Sequence, residues 1–241
     1  MIAIIDYGVG NLRSVQRAFE YVGAETVITA HQEIIESASA VVLPGVGAFG
    51  KAMSNLERAG LADVIRQVIA EGHPFLGICL GLQLLFEESD EMGQHRGLGV
   101  FGGQVKRFEV GGRRHGYKVP QIGWNQIHIQ RASPLLKGVA DGSYAYFVHS
   151  YYVAPADPEI VLATTDYEID YASIIGQGSV FGIQFHPEKS QAVGLRILRN
   201  FAELVEGKVW SSFLPLISVE ESVSAYVRDA PRRRLSSPMI Q

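Results

Sequence analysis

Cys79 is the sole cysteine of this 241-residue chain and lies in Gly77-Ile78-Cys79-Leu80-Gly81. A cysteine that attacks acyl groups does so as a thiolate, and it needs a base and a group that orients that base. Small residues on both sides permit a tight strand-to-helix turn that aims the side chain outward. The start of a helix also favours the thiolate form. The commonest fate of a free cysteine is as a small buried hydrophobe, so the partners decide. Among the seven histidines, His186 ends the apolar run Val180-Phe181-Gly182-Ile183-Gln184-Phe185, where open α/β sheets place their chemistry. Pro187 and Glu188 follow. Two residues apart in extended chain, His186 and Glu188 project to one side, so the carboxylate can fix the imidazole tautomer and stabilise its charged form. His-Pro-Glu alone reads as a surface turn; beside Cys79 it reads as the rest of a triad.

The remaining histidines are weaker candidates. His31, His73, His95 and His115 lie in polar or turn segments, and His128 alternates as an outward strand residue. His149 closes an aromatic strand and is either structural or lines a site. An oxyanion needs donors, and the backbone N–H of Leu80 is one by position. A second is available in Pro44-Gly45-Val46-Gly47, where glycine lets a peptide present either its carbonyl or its N–H. A change of conformation at Val46 and Gly47 on activation is therefore expected. Gly45-Val46-Gly47-Ala48-Phe49-Gly50 also satisfies G-x-G-x-x-G. It is not the first βα turn, however, and Pro44 interrupts its entry, which argues against a nicotinamide or flavin. Gly8-Val9-Gly10-Asn11 is consistent with a phosphate cradle and equally with a tight turn capped by Asn11. The histidines and Cys79 show no metal-ligand spacing, so neither a metal nor a cofactor is expected.

These residues need elements to hold them. Apolar runs at 2–6, 25–29, 40–43 and 73–78 read as strands, and 11–21, 52–70 and 80–88 as helices. From residue 97 the pattern becomes strands at 97–108, 121–129, 144–153, 160–165 and 171–185, closed by a helix over 192–206. Strands interleaved with helices predict an α/β domain with a mostly parallel central sheet flanked by helices, and antiparallel strands added in the second half. The domain is expected to span residues 1–206. Residues 207–241 read as a C-terminal extension, partly disordered. There Trp210, Phe213, Leu214 and Leu216 are candidates for docking on the domain, while Arg232-Arg233-Arg234-Leu235-Ser236 suits an anionic partner or, more simply, a solvated tail.

A net charge of −4 argues against a nucleic-acid binder. One cysteine excludes an intrachain disulfide framework and suits a reducing compartment. No run is apolar enough for a membrane span, and Met1-Ile2-Ala3-Ile4-Ile5-Asp6 lacks the basic start of a signal peptide. A cytoplasmic protein is expected.

Taken together, Gly77-Ile78-Cys79-Leu80-Gly81-Leu82-Gln83, His186-Pro187-Glu188 and Pro44-Gly45-Val46-Gly47 resemble the class I (triad) glutamine amidotransferases. Asp6-Tyr7-Gly8-Val9-Gly10-Asn11-Leu12, Gly123-Trp124-Asn125, Tyr146-Phe147-Val148-His149-Ser150-Tyr151 and Phe185-His186-Pro187-Glu188-Lys189-Ser190 narrow the likeness to the glutaminase subunits of imidazole glycerol phosphate synthases, in histidine biosynthesis. The resemblance runs from residue 1 to about residue 206. It implies that Cys79 forms a γ-glutamyl thioester from L-glutamine, with His186 shuttling the proton and Glu188 orienting it. It implies oxyanion amides at Leu80 and Val46. It also implies glutamine contacts from Gly45, Gly47, Gln83 and the backbone around His149, Ser150 and Tyr151. The implied partner is a (β/α)8-barrel cyclase subunit, in a heterodimer, which takes the ammonia and makes imidazole glycerol phosphate and aminoimidazole carboxamide ribotide. Asn11, Trp124, Asn125, Tyr146 and Lys189 match positions that face it. Gln121 stands where such chains commonly have histidine, and the tail after residue 207 has no counterpart. A free-standing cysteine hydrolase with the same triad, acting on γ-glutamyl or peptide bonds, is the alternative and would need no partner. A non-catalytic binding module is opposed by the complete triad.

Overall fold

In the computed structural model the described residues are 1–109, 118–205 and 207. His115 and the tail residues Trp210, Phe213, Leu214, Leu216 and Arg232–Ser236 lie outside them. The first half comprises β1 (Ile2–Ile5), α1 (Leu12–Tyr21), β2 (Thr26–Thr29), α2 (Gln32–Glu36), β3 (Ala40–Gly45), α3 (Phe49–Arg58), α4 (Leu61–Ala70), β4 (Phe75–Cys79) and α5 (Leu80–Leu84). Then come β5 (Phe86–Ser89), β6 (His95–Arg96), β7 (Phe101–Arg107), β8 (Gln121–Ile129), β9 (Ser143–His149) and β10 (Tyr151–Pro155). The chain continues through β11 (Val161–Tyr167), β12 (Ile169–Gln177) and β13 (Val180–Ile183) to α6 (Gln191–Val205).

The strands β2-β1-β3-β4-β13 run parallel as neighbours. From β13 the sheet continues antiparallel through β12, β10 and β7, and β11, β8 and β9 branch from β12. Alternation along the central strands sorts the core into two layers. Ala3, Ile5, Val41 and Leu43 pack against α2, α3 and α4 through Ile35, Phe49, Leu56, Ile65 and Val68. Ile2, Ile4, Ala40 and Val42 face α1 and α6 through Val15, Phe19, Ile197, Leu198 and Phe201. Phe19 and Phe201 meet edge-on, with centroids 6.2 Å apart, and tie those two helices together. Both faces are covered, which is why β1, β3 and β4 are buried along their whole length.

Several element boundaries differ from those expected. The stretch 52–70 is two helices broken at Gly60, whose φ of +70° is left-handed backbone that glycine tolerates. The helix expected over 80–88 stops at Leu84. Beyond it, Phe86 pairs with Phe101, and the carbonyls of Leu84 and Glu87 accept from Leu98 and Gly97, so sheet pairing overrides helix propensity. The expected strands 144–153 and 171–185 each divide in two, the second at the turn through Gly178. The short α2 carried no periodic signal. Asn11 does not cap α1 with its side chain; its amide is used elsewhere.

Candidate active site

Cys79 ends β4 and begins α5 with φ +55° and ψ −111°, a conformation costly for a residue with a Cβ. The neighbours make room for it. A Cβ on Gly81 would lie 1.7 Å from the Leu43 carbonyl oxygen, and one on Gly77 would lie 2.7 Å from the Gly81 carbonyl oxygen. The glycines are thus required by close backbone approach between β3, β4 and α5. Gly45 serves the same end: it pairs with Cys79 in register, and a Cβ there would meet the Tyr7 hydroxyl at 2.7 Å and Leu80 Cβ at 2.8 Å. The Tyr7 hydroxyl donates to the Pro44 carbonyl at 3.0 Å, which ties the first βα turn to the end of β3.

His186 follows β13, the parallel neighbour of β4, and its N–H donates to the Tyr146 carbonyl at 3.0 Å. Pro187–Lys189 form one 3-10 turn, which swings Glu188 back against the ring. The His186 Nδ1–Glu188 Oε1 distance is 2.9 Å with both side chains buried. A carboxylate only accepts, so Nδ1 carries the proton and Nε2 faces the sulfur. Burial works against the imidazolium, but hydrogen bonds to Cys79 and Glu188 and their charges outweigh it. The His186 pKa rises to about 10. Asn11 donates its amide to the same Glu188 oxygen at 3.3 Å, while Glu188 Oε2 is buried without a hydrogen-bond partner. Asn11 is therefore a brace for the triad carboxylate.

A cleft of about 330 Å³ opens over the sulfur. Its walls bring together Val46, Gly47, Cys79, Leu80, Gln83, His149, Ser150, Tyr151, His186 and Lys189. Val46 is 41% exposed and Gly47 has φ +95°, so this turn projects into solvent at the cleft edge. Gly45 is not among the lining residues; it sits beneath them. Gln83 donates through Nε2 to the Tyr151 carbonyl at 2.9 Å and to Gln184 Oε1 at 3.2 Å, which leaves its own carbonyl oxygen for a ligand. A larger cavity of about 770 Å³ lies between β7 and β12 and contains none of the triad.

His149 is structural in its side chain. Nδ1 donates to the Tyr151 carbonyl at 2.8 Å, and Nε2 lies 3.2 Å from the Tyr171 hydroxyl. Burial, opposed by the Tyr151 bond and aided by the His186 charge, pushes its pKa down to about 4, so the ring is neutral. Gln121 is 2% exposed and accepts from Tyr171 at 2.9 Å, so its side chain is directed inward and not at a partner surface.

Trp124 and Tyr146 are cross-strand partners on β8 and β9, edge-on at 5.9 Å, and Lys189 Nζ lies 6.0 Å from the Tyr146 ring centroid. Ile122 and Tyr144 extend this face and are more than half exposed. Asn125 departs from it: its side chain donates to the Asp166 carbonyl at 2.8 Å and accepts from the Gln126 N–H.

Glu91 in the cleft wall and Gln184 buried beside the sulfur escaped the sequence, as did the lining residues Pro120 and Val148. Glu91 lines the wall and accepts from the Phe49 N–H at 2.6 Å; it sits in the turn Asp90-Glu91-Met92-Gly93, which has no periodicity to mark it. Gln184 is fully buried, with Nε2 3.9 Å from Cys79 Sγ. Its position as a polar residue inside the apolar run that leads into His186 was the available signal. No cluster of three or more His, Cys, Asp or Glu suited to a metal occurs among the described residues, nor is any described helix long and apolar enough to cross a membrane.

A family model for class-I glutamine amidotransferases matches residues 3–204. The chain is 51% identical over 209 residues to imidazole glycerol phosphate synthase subunit HisH of Geobacillus kaustophilus, covering 86% of this chain and 99% of that protein. It is 53% identical over 203 residues to the subunit of the same name from Geobacter metallireducens, covering 83% and 97%. Its fold is similar to a solved structure described as a glutamine amidotransferase, with a TM-score of 0.67 at 22% identity, over 86% of this chain and all of that one.

Proposed function

The chain belongs to the class I glutamine amidotransferase family, and from that premise we propose that it is the glutaminase subunit of an imidazole glycerol phosphate synthase. It hydrolyses L-glutamine and passes the ammonia to a cyclase subunit in histidine biosynthesis. The observation that carries this reading is the strained Cys79 turn set beside the buried His186–Glu188 pair, in a chain about 50% identical to two subunits of that synthase.

The Cys79 thiolate attacks the γ-carboxamide carbon of glutamine while His186 holds the proton on Nε2. The oxyanion is met by the N–H groups of Leu80 and Val46. His186 gives its proton to the departing nitrogen, the C–N bond breaks, and ammonia leaves behind a γ-glutamyl thioester. His186 then takes a proton from water, whose oxygen attacks the thioester. Glutamate departs and the thiolate is restored. Glu188 keeps Nδ1 protonated throughout, and Asn11 keeps Glu188 in place.

The substrate's charged end needs countercharge. Glu91 is the carboxylate in the cleft wall and suits the α-ammonium, while the free Gln83 carbonyl and the peptide groups of Ser150 and Tyr151 supply polar contacts. Ammonia becomes a non-nucleophilic cation in water, so a sealed route to the acceptor is an advantage. The exposed aromatic face of Trp124, Tyr144, Tyr146 and Ile122 beside Lys189 suits a docking surface for a (β/α)8-barrel cyclase, with Asn11 at its edge. The amidotransferase domain ends at about residue 206, with residues 207–241 a C-terminal extension. An electrophilic glutamine analogue is the direct test: mass spectrometry should find it on Cys79 in the complex, and an unlabelled Cys79 would refute a glutaminase.

A further inference from the structure

His186 is not alone beside the sulfur. The register Ile78–Ile183 between β4 and β13 brings Gln184 alongside Cys79, with its Nε2 3.9 Å from Sγ. The Gln184 amide is fully buried, so both of its ends need partners inside the protein.

The orientation of that amide can be derived. The Tyr151 carbonyl oxygen only accepts, so the Gln83 group 2.9 Å from it is the NH2. That same nitrogen lies 3.2 Å from the Gln184 side chain, which must therefore turn its oxygen toward Gln83. The Gln184 NH2 is left pointing at Cys79 Sγ, 3.9 Å away. The order of the chain is fixed by a backbone carbonyl at its far end, not by a choice of amide flip. Sulfur is a weak acceptor as a thiol and a far better one as a thiolate, so a donor held here acts on the balance between them.

We propose that Gln184 is a second polar contact of the nucleophile: its side-chain N–H donates to the Cys79 sulfur and favours the thiolate, in addition to the His186 imidazole. The assignment rests on the glutaminase reading for its purpose and on geometry alone for its existence. Through Gln83, which lines the cleft, the same amide chain couples the substrate wall to the sulfur. An occupied cleft that pulls on Gln83 moves the donor at the nucleophile.

Gln184→Met keeps the volume and removes the donor. On the rising limb of its pH–rate profile, alkylation of Cys79 by iodoacetamide in the full chain should slow about tenfold. The gap should close at high pH, because a donor that only shifts the thiol–thiolate balance has no effect once the sulfur is ionised. Equal slowing in both pH ranges would mean altered access, and no slowing would mean no contact; either overturns the proposal. Should Gln184→Met fail to fold, a second variant reads the same bond: the Gln184 side-chain amide resonances should shift between the parent chain and Cys79→Ala, and unshifted resonances would overturn it. Neither experiment needs glutamine or a partner. A failure here is therefore distinct from a failure of the glutaminase reading, which appears only in turnover.

Discussion

His186 Nδ1 and Glu188 Oε1 stand 2.9 Å apart, two residues apart in the same chain and separated by a proline. The base and its orienter therefore come from one short turn, whereas the nucleophile comes from the neighbouring strand. Only the distance between β4 and β13 has to be right for the three to meet, and four parallel pairs of residues fix it, from Phe75–Val180 to Ile78–Ile183. The pair is buried, so the imidazolium it supports is a ready acid for the departing ammonia.

Neutral His149 has a signature in stability. Its folded pKa is lowered to about 4 against a usual 6.5, so between these values the unfolded chain binds the proton and the folded chain does not. Stability present above pH 6.5 is lost as pH falls toward 4, in all about 3 kcal/mol. Urea unfolding of His149→Gln should show a flatter profile in that window. An unchanged slope would mean that the ring is not held neutral.

Glu91 faces the substrate's ammonium in this account. Glu91→Gln keeps an acceptor for the Phe49 N–H and removes the charge. The KM for glutamine should rise about 10- to 100-fold with kcat much less affected. A fall in kcat at constant KM would place Glu91 with the oxyanion turn and not with the substrate.

The turn at Cys79 depends on absent side chains. Gly81→Ala would drive a Cβ to 1.7 Å from the Leu43 carbonyl oxygen, and should cost several kcal/mol, on the order of the severest core changes. Gly102→Ala meets Ala156 Cβ at 3.6 Å and Glu87 Oε2 at 3.9 Å, both ordinary contacts, and should be within about 0.5 kcal/mol of the parent. Similar melting temperatures for the two variants would contradict the packing argument.

Trp124 is 46% exposed and packs edge-on against Tyr146. In the proposed docking surface it is the central anchor, so Trp124→Ala should weaken the complex with the cyclase about 30-fold. Iodoacetamide labelling of Cys79 in the isolated chain should stay at the parent rate. Titration with an unchanged Kd would move the interface elsewhere.

The placement of the candidate triad was legible because its signals are local: glycines around Cys79, and His-Pro-Glu after an apolar run. The parallel sheet was legible from strand and helix alternation. What was missed depends on distant contacts. Leu85 to Glu88 have helical neighbours but join the sheet because Phe86 pairs with Phe101. Asn11 has the composition of a cap, yet its amide goes to Glu188, 177 residues away. Asn125 sits in a motif that suggested an exposed contact, but its side chain is spent on Asp166 and Gln126. Glu91 has no pattern at all until α3 is placed next to its turn.

The division of labour between two chains is the central claim, and Cys79→Ala in a complex reconstituted with the cyclase tests it most directly. Glutamine-dependent formation of imidazole glycerol phosphate should be abolished, while formation from added ammonia should continue at the parent rate. Loss of both activities would contradict the account, as would glutamine turnover that survives without Cys79.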